Sequence, residues 1–186
     1  MFLHLRFATL GCAAFVSAAA AQTPPVKPVV QTQANVEPQS TMAAFGDWVL
    51  RCQRRAEGAI AVKICEVNHT IQNAQQQAPV AQIALGRVIK SEPMHLTAQL
   101  PTNVTFPSIV KLLADDKDTH PLELAWRRCI QNGCFADAPL SDEQTRQLHN
   151  RTGSGIVEFV EGAGRTVRLP LSFDGLAPAL DALLRE

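Results

Sequence analysis

The sequence predicts an all-β domain with mainly antiparallel strands, arranged as a β-sandwich or a barrel-like sheet. About eight stretches alternate apolar and polar side chains or read as extended chain, and turn signals separate them roughly every 8–12 residues. Only two segments carry helical signals, near 141–149 and near 175–185. Four cysteines outside the leader fall into two closely spaced pairs, as adjacent strands of a small exported domain would place them.

Residues 1–21 have the organisation of a secretory signal peptide. A short region containing Arg6 precedes an apolar run over 7–18, and three alanines supply the small residues for cleavage before Gln22. A lipoprotein signal ending at Cys12 is the alternative, but the apolar run ahead of Cys12 is too short for it. We therefore expect an exported protein that is periplasmic, secreted or associated with the outer surface.

A linker and one domain are expected after the leader. Residues 22–44 are rich in proline and glutamine and carry two charges, which predicts a disordered linker. Residues 45–186 are long enough for a single β domain with one core. No apolar run after the leader approaches the ~18 residues of a membrane span.

The charge balance bears on the kind of partner. Without Arg6 the chain has 17 − 1 = 16 basic and 17 acidic residues, a net charge of −1 with histidine neutral. This balance argues against nucleic acid or an anionic membrane surface as the main partner. The local arginine clusters at 51–55 and 127–128 are interpreted as solvated strand ends.

The first two strands each place a cysteine on their apolar face. Trp48, Leu50 and Cys52 share one face of the first strand, and Cys65 lies on the apolar face of the second. Both cysteines should therefore point inward. His69 falls on the same face, where we predict a partly buried histidine with satisfied hydrogen bonds.

The middle of the chain continues as strands. Segments 80–89 and 104–113 read as extended, and 94–100 alternates most regularly, with His95, Thr97 and Gln99 facing out. Residues Asp115–Asp118 superficially resemble a calcium loop but lack its glycine and distal glutamate, so they predict a solvated hairpin turn.

The next hairpin contains the second cysteine pair. Asn132-Gly133 is a strong hairpin signal that would place Cys129 opposite Cys134. Cys129 is out of phase with the apolar positions that end at Trp126. The sequence therefore predicts a bulge or twist at Arg127-Arg128.

Four cysteines allow three disulfide connectivities, and the sequence alone does not choose among them. Geometry favours Cys52–Cys65 with Cys129–Cys134, because each pair can lie within its own hairpin. The crossed pairings would close larger loops and stabilise more, so energy does not exclude them. A zinc site is the other alternative, but the chain has no Cys-x2-Cys knuckle and the expected compartment is oxidising.

The C-terminal third combines helices with a hairpin. Ser141 and Gln144 form a capping box that should begin a helix ending near Asn150. Strands at 156–160 and 165–173 follow. We expect Asp174 to cap the terminal helix. Its predicted apolar stripe consists of Leu176, Leu180, Leu183 and Leu184.

No stretch has the pattern of an active site. The chain lacks a nucleophile elbow, a P-loop, a dinucleotide-binding glycine motif and a Cys-x-x-Cys pair. The histidines after the leader are scattered without metal-ligand spacing: His69, His95, His120 and His149. The sequence thus predicts no catalytic, cofactor-binding or metal-binding residues, no cofactor and no enzymatic activity.

Several motifs, in this order, resemble the invasion-associated locus B family. They are Phe45-Gly-Asp-Trp48-x3-Cys52, Cys65-Glu66, Pro79-Val80, Leu100-Pro101-x2-Val104, Trp126-x2-Cys129-x3-Gly133-Cys134 and Val167-x-Leu-Pro170 with Gly175-Leu176. The resemblance implies an exported bacterial protein with a mainly β fold, from a family named for a link to host-cell invasion. After the Leu-Pro turn, where the family usually has a glycine, this chain has Thr102-Asn103.

We expect an envelope protein that acts by binding another protein, with host-cell interaction or invasion as the role that the family name suggests. One alternative is a structural protein that maintains the envelope. The other is an envelope hydrolase or isomerase that uses His95 or His120 with Asp115 or Asp118.

Overall fold

The computed structural model describes residues 38–57, 60–72, 78–87 and 89–186. The predicted signal peptide at 1–21 and the predicted linker up to residue 37 lie outside the described residues. Within them the chain forms ten strands and two helices. These are β1 (Ser40–Phe45), β2 (Trp48–Glu57), β3 (Ile60–Gln72), β4 (Pro79–Arg87), β5 (Met94–Leu100), β6 (Ile109–Leu113), β7 (Leu122–Ile130), β8 (Gly133–Leu140), α1 (Asp142–His149), β9 (Ser154–Val160), β10 (Thr166–Ser172) and α2 (Leu176–Arg185).

All ten strands belong to one antiparallel sheet. Its order is β1-β2-β3-β4-β5-β8-β7-β6-β9-β10, so β1 and β10 are the two edges and the sheet is not closed. The predicted class, all-β and mainly antiparallel with one short helix in the chain and one at its end, is confirmed.

The sheet curls until its two ends face each other across the core. Trp48 of β2 donates its indole N–H to the carbonyl of Ser172 in β10, with 3.0 Å between nitrogen and oxygen. Helix α2 packs against β1, β2 and β3. We call the sheet face toward this core the inner face and the opposite one the outer face. The largest side chains with almost no exposure include Trp48, Ile83, Leu85, Leu96, Leu124, Leu171 and Leu180.

Strand β5 shows how sequence alternation divides the two faces. Its odd-numbered polar residues are half-buried on the outer face, and the residues between them are buried on the inner face, as predicted. The inner-face residues are Met94, Leu96, Ala98 and Leu100.

The sheet begins before the expected domain boundary at residue 45. Strand β1 runs antiparallel to β2, from Ser40 opposite Gln53 to Phe45 opposite Trp48. Because β1 lies at an edge and is almost wholly exposed, its sequence has no need to alternate. Its apolar pattern therefore does not distinguish it from a linker.

The predicted irregularity in the β7–β8 hairpin is confirmed. The pairing register shifts between Trp126 and Arg128. The extra residue changes the phase of β7, so that Cys129 comes opposite Cys134.

Helix α1 begins as predicted, with a reciprocal capping box. The backbone N–H of Gln144 donates to the Ser141 hydroxyl at 3.1 Å, and the Ser141 N–H donates to the Gln144 side chain at 2.9 Å. These two bonds satisfy two donors that the first turn of a helix leaves free.

The predicted cap of α2 was wrong, and its predicted apolar stripe is confirmed at Leu176, Leu180 and Leu183 but not at Leu184. The residue before the helix is Gly175 in a left-handed conformation, and no side chain caps the helix. Asp174 instead presents its carbonyl to the N–H of Asp47. Leu184 is 48% exposed. The buried arc of the helix is rotated toward Ala179 and Ala182, whose small side chains lie against the core.

Candidate functional site

The outer face of the sheet carries a groove that neither helix covers. The buried residues of both helices belong to the core on the inner face. The groove, which we call the outer groove, has a volume of about 560 Å³ and crosses strands β3, β4, β5 and β8. Polar side chains from four neighbouring strands therefore converge on one concave surface, an arrangement typical of binding sites.

Small residues form the floor of the outer groove. Ala84 of β4 lies opposite Thr97 of β5, and Gly86 lies between Glu66 and His95. Short side chains in the centre of a sheet face leave a depression between the longer side chains around them. Those surrounding side chains include Glu66, Gln82, His95, Gln99, Phe135 and Asp137.

Gly86 is also fixed by close packing of the backbone. A Cβ atom at this position would lie 3.1 Å from the Cys65 carbonyl oxygen and 3.1 Å from the Glu66 Cβ. Any side chain here would crowd β3 and fill the floor. The glycine thus keeps the outer groove open.

Asp137 connects the outer groove to the bulge in β7. One of its carboxylate oxygens accepts a hydrogen bond from the Arg127 guanidinium. The other lies 3.8 Å from Nδ1 of His95, beyond direct hydrogen-bond distance. The three groups place an acid, a permanent cation and a titratable imidazole side by side at one end of the groove.

Phe135 supplies the aromatic wall. The Arg128 guanidinium lies 5.7 Å from the centre of its ring, within the range of a cation–π contact. Both arginines of the bulge therefore contact residues that line the groove. Sequence reasoning interpreted Arg127 and Arg128 as solvated strand ends: it predicted the hairpin that places β8 beside β7, but not which side chains of β8 the two arginines contact.

Backbone and side-chain contacts anchor the tip of the β7–β8 hairpin to β5. The Gln99 side chain donates to the Asn132 carbonyl at 2.9 Å. Gly133 has a φ of 144°, and a Cβ there would lie 2.7 Å from the Leu100 carbonyl oxygen. This close approach requires a glycine.

Two disulfides link neighbouring strands. Cys52–Cys65 joins β2 to β3 on the inner face, and Cys129–Cys134 joins β7 to β8. Each pair lies directly opposite in the strand register. Their thiols are therefore not available as the four thiolate ligands of a zinc site.

One cluster of potential metal ligands occurs within the described residues, formed by Cys52, Cys65 and Glu186. Because the two sulfur atoms are bonded to each other, this cluster offers a single carboxylate. It lacks the ligand set of a metal centre.

The histidines have separate environments. The ring of His69 packs against Trp48 at a tilt of 34°, with 5.5 Å between ring centres, and its Nδ1 lies 2.8 Å from the Asp47 carbonyl oxygen. This is the satisfied, partly buried histidine that the sequence predicts. Nε2 of His149 lies 2.9 Å from the Asp181 carboxylate.

Asp115 and Asp118, which the sequence analysis considered as catalytic partners of His95 or His120, lie in the turn between β6 and β7. Asp118 accepts N–H groups from Ala114 at 2.7 Å and from His120 at 2.9 Å. The Ala114 bond is the largest of the effects that lower the pKa of Asp118. His120 contacts the hydroxyl of its neighbour Thr119. In the structure the carboxylate beside His95 is Asp137, which the sequence analysis missed because β8 is distant from β5 along the chain.

Neither helix found in the described part of the chain has the length and hydropathy that a membrane span requires.

The fold and the site together define a class: an antiparallel β domain, linked by two hairpin disulfides, with a groove on the outer sheet face that neither described helix covers. A family model described as invasion associated locus B (IalB) protein matches residues 48–184. The chain therefore belongs to the invasion associated locus B family, as its motifs predicted.

A solved structure supports the fold independently. The chain is similar to the crystal structure of invasion associated protein b from Bartonella henselae, with 16% sequence identity and a TM-score of 0.65. The match covers 78% of this chain and 95% of that chain. No curated protein sequence matches this chain.

Proposed function

We propose that this protein is an exported, non-enzymatic binding protein of the bacterial envelope, and that the outer groove contacts a protein partner. The observation that carries this proposal is the convergence of polar, charged and aromatic side chains from four strands on a face that neither described helix covers. Export is supported by the two disulfides, which are typical of oxidising compartments. The signal peptide expected at 1–21 supports the same compartment.

The chemistry of the outer groove suits a polypeptide partner. Gln82, Thr97 and Gln99 offer neutral donors and acceptors that can match backbone amides. Phe135 offers an apolar contact at one end. Asp137 and its arginine partner add charges that would fix the orientation of the bound chain. Attachment to a host-cell protein, which the family name suggests, would be one use of such a surface.

A substitution that fills the groove tests the proposal. Thr97→Arg places a long side chain on the floor, and Gln147→Arg makes the same charge change on the exposed surface of α1. Both proteins and the wild type are tagged and incubated with envelope extract and with host-cell extract. We expect the wild type and Gln147→Arg to capture the same protein and Thr97→Arg to lose it.

The proposal fails if no specific protein is captured at micromolar concentrations, or if Thr97→Arg captures as well as the wild type. Far-ultraviolet circular dichroism and thermal unfolding of Thr97→Arg show that a loss of capture does not reflect unfolding.

A second candidate function rests on one observation, the proximity of His95 to Asp137 in the outer groove. An imidazole beside a carboxylate is a common general base in hydrolases and isomerases. An activity screen against envelope substrates, with His95→Ala and Asp137→Asn as variants, tests it. Any hydrolysis or isomerisation that both variants abolish would support an enzyme, and equal activity in all three proteins would exclude this pair.

A further inference from the structure

The two edge strands of the sheet differ in how far they are protected. Exposed edges present unpaired N–H and C=O groups that can pair with another chain, and proteins usually block them with charges, proline or covering segments. Strand β10 has such features, whereas β1 consists of uncharged residues without proline. Among the described residues, this difference makes β1 the less protected of the two edges.

The outward groups of β10 are partly blocked. The N–H of Glu161 donates to the Arg165 carbonyl, so Arg165 is bonded to its partner strand. In an antiparallel pair, such residues alternate with residues whose backbone N–H and C=O groups point away from the partner. Pro170 and Ser172 are of the second kind, and their backbone groups point away from β9. Pro170 has no N–H to offer. The Ser172 carbonyl already accepts the Trp48 indole N–H.

The outward groups of β1 follow from the same alternation. The N–H of Arg54 donates to the Gln39 carbonyl at 3.0 Å, so Gln39 is one of the residues bonded to β2. Every second residue after Gln39, ending with Phe45, is also hydrogen-bonded to β2. The residues between them face away from β2, and within the described residues no hydrogen bond satisfies their outward backbone groups. These are Ser40, Met42 and Ala44.

Strand β1 is held in place as a preformed edge. The turn after it is anchored by the hydrogen bond from the Asp47 N–H to the Asp174 carbonyl, at 3.1 Å. Gly175 packs so closely on this hairpin that a Cβ atom there would lie 1.8 Å from the Phe45 carbonyl oxygen. An incoming strand would therefore meet an ordered edge, with little further loss of backbone freedom.

We propose that β1 pairs antiparallel with β1 of a second copy of this chain, about a twofold axis at Met42. An antiparallel edge centred on one residue is complementary to itself, because each N–H meets the C=O of its counterpart. Ser40 would pair with Ala44 of the second copy. No charged side chains oppose one another along this strand, and Met42, which is 66% exposed, would cover its own counterpart.

The interface involves one short strand from each copy, so the dimer is weak and its population depends on concentration. Sedimentation velocity over a concentration series, with the exported form of the chain over residues 22–186, measures it. Met42→Pro removes the central outward N–H, and Met42→Lys places two like charges opposite each other. Each should weaken dimerisation by about tenfold or more.

Ile130→Lys is the matched control, because it makes the same change at another exposed apolar residue on a different hairpin. It should leave the dimer unchanged. Met42→Cys adds a positional test, because a short bis-maleimide should join the two copies through this residue. A chain that is monomeric at every concentration overturns the proposal, and so does a dimer that both Met42→Pro and Met42→Lys leave intact.

Discussion

At the scale of single residues, Asp118 is a clear case of a carboxylate with a structural role. Its oxygens accept two backbone N–H groups in the β6–β7 turn, and its side chain is only 10% exposed. These bonds favour the ionised form and lower its pKa, with a smaller contribution from the Arg151 guanidinium. The residue organises the turn that the sequence predicted at Asp115–Asp118.

Asp118 should make stability depend on pH. Because its pKa is lower in the folded state, its stabilising effect is complete above the ordinary carboxyl pKa of 3.8 and is lost as the pH falls through the folded value. We expect Asp118→Ala to lower the free energy of unfolding by about 1–2 kcal/mol at pH 7.

Urea denaturation at pH 7 and in acid below pH 3.8 measures this effect. The penalty should shrink in acid. Glu123→Ala, at an exposed position in the same hairpin, should have little effect at either pH. A penalty for Asp118→Ala that is equal at both pH values would show that the carboxylate charge does not contribute.

Two glycines with similar backbone angles should respond very differently to alanine. Gly175 has a φ of 84° and no space for a Cβ, whereas Gly164 has a φ of 79° with nothing within 4 Å. Gly164→Ala should cost about 1 kcal/mol from the left-handed conformation alone. Gly175→Ala should cost roughly 3 kcal/mol or more, because the Phe45 backbone must move as well. Chemical denaturation of both variants checks the difference, and equal losses would contradict the close packing of the β1–β2 hairpin on α2.

At the scale of elements, the sequence predicted those features that depend on contacts between residues close together in the chain. The capping box of α1 and the bulge at Arg127-Arg128 were both predictable, because each depends on residues a few positions apart. Strand β1 was not, since an exposed edge strand is defined by its partner and not by alternation. The orientation of α2 depends on how closely its alanines approach the core, which the leucine spacing alone does not reveal.

The two hairpin disulfides should differ in their contribution to stability. Cys52–Cys65 closes a loop with a separation of 13 residues, and Cys129–Cys134 one of 5. Chain entropy gives roughly 3 kcal/mol for the first loop and about 2 for the second. The double variant Cys52→Ala with Cys65→Ala should lose still more, because both side chains are buried in the core.

Denaturation of that variant beside Cys129→Ala with Cys134→Ala measures the two contributions. A larger loss of unfolding free energy on removing Cys129–Cys134 would contradict this order. It would show that the disulfide of the β7–β8 hairpin stabilises the fold more than Cys52–Cys65 does.

At the scale of the whole molecule, the outer groove depends on the order of strands in the sheet. Residues of β5 and β8 become neighbours because the chain passes through β6 and β7 before returning. The sequence could predict that Thr97 and Gln99 face away from the core. It could not predict that Phe135 and Asp137 lie beside them, because no local pattern specifies pairing across that distance.

The central claim is that the outer groove contacts a protein partner. Site-specific photo-crosslinking in the envelope tests it most directly, with a benzophenone amino acid placed at Gln99 in the groove or at Gln147 on α1. We predict one discrete adduct from Gln99 and none from Gln147. An adduct that forms only from Gln147, or equally from both positions, would contradict the assignment of the groove as the binding surface.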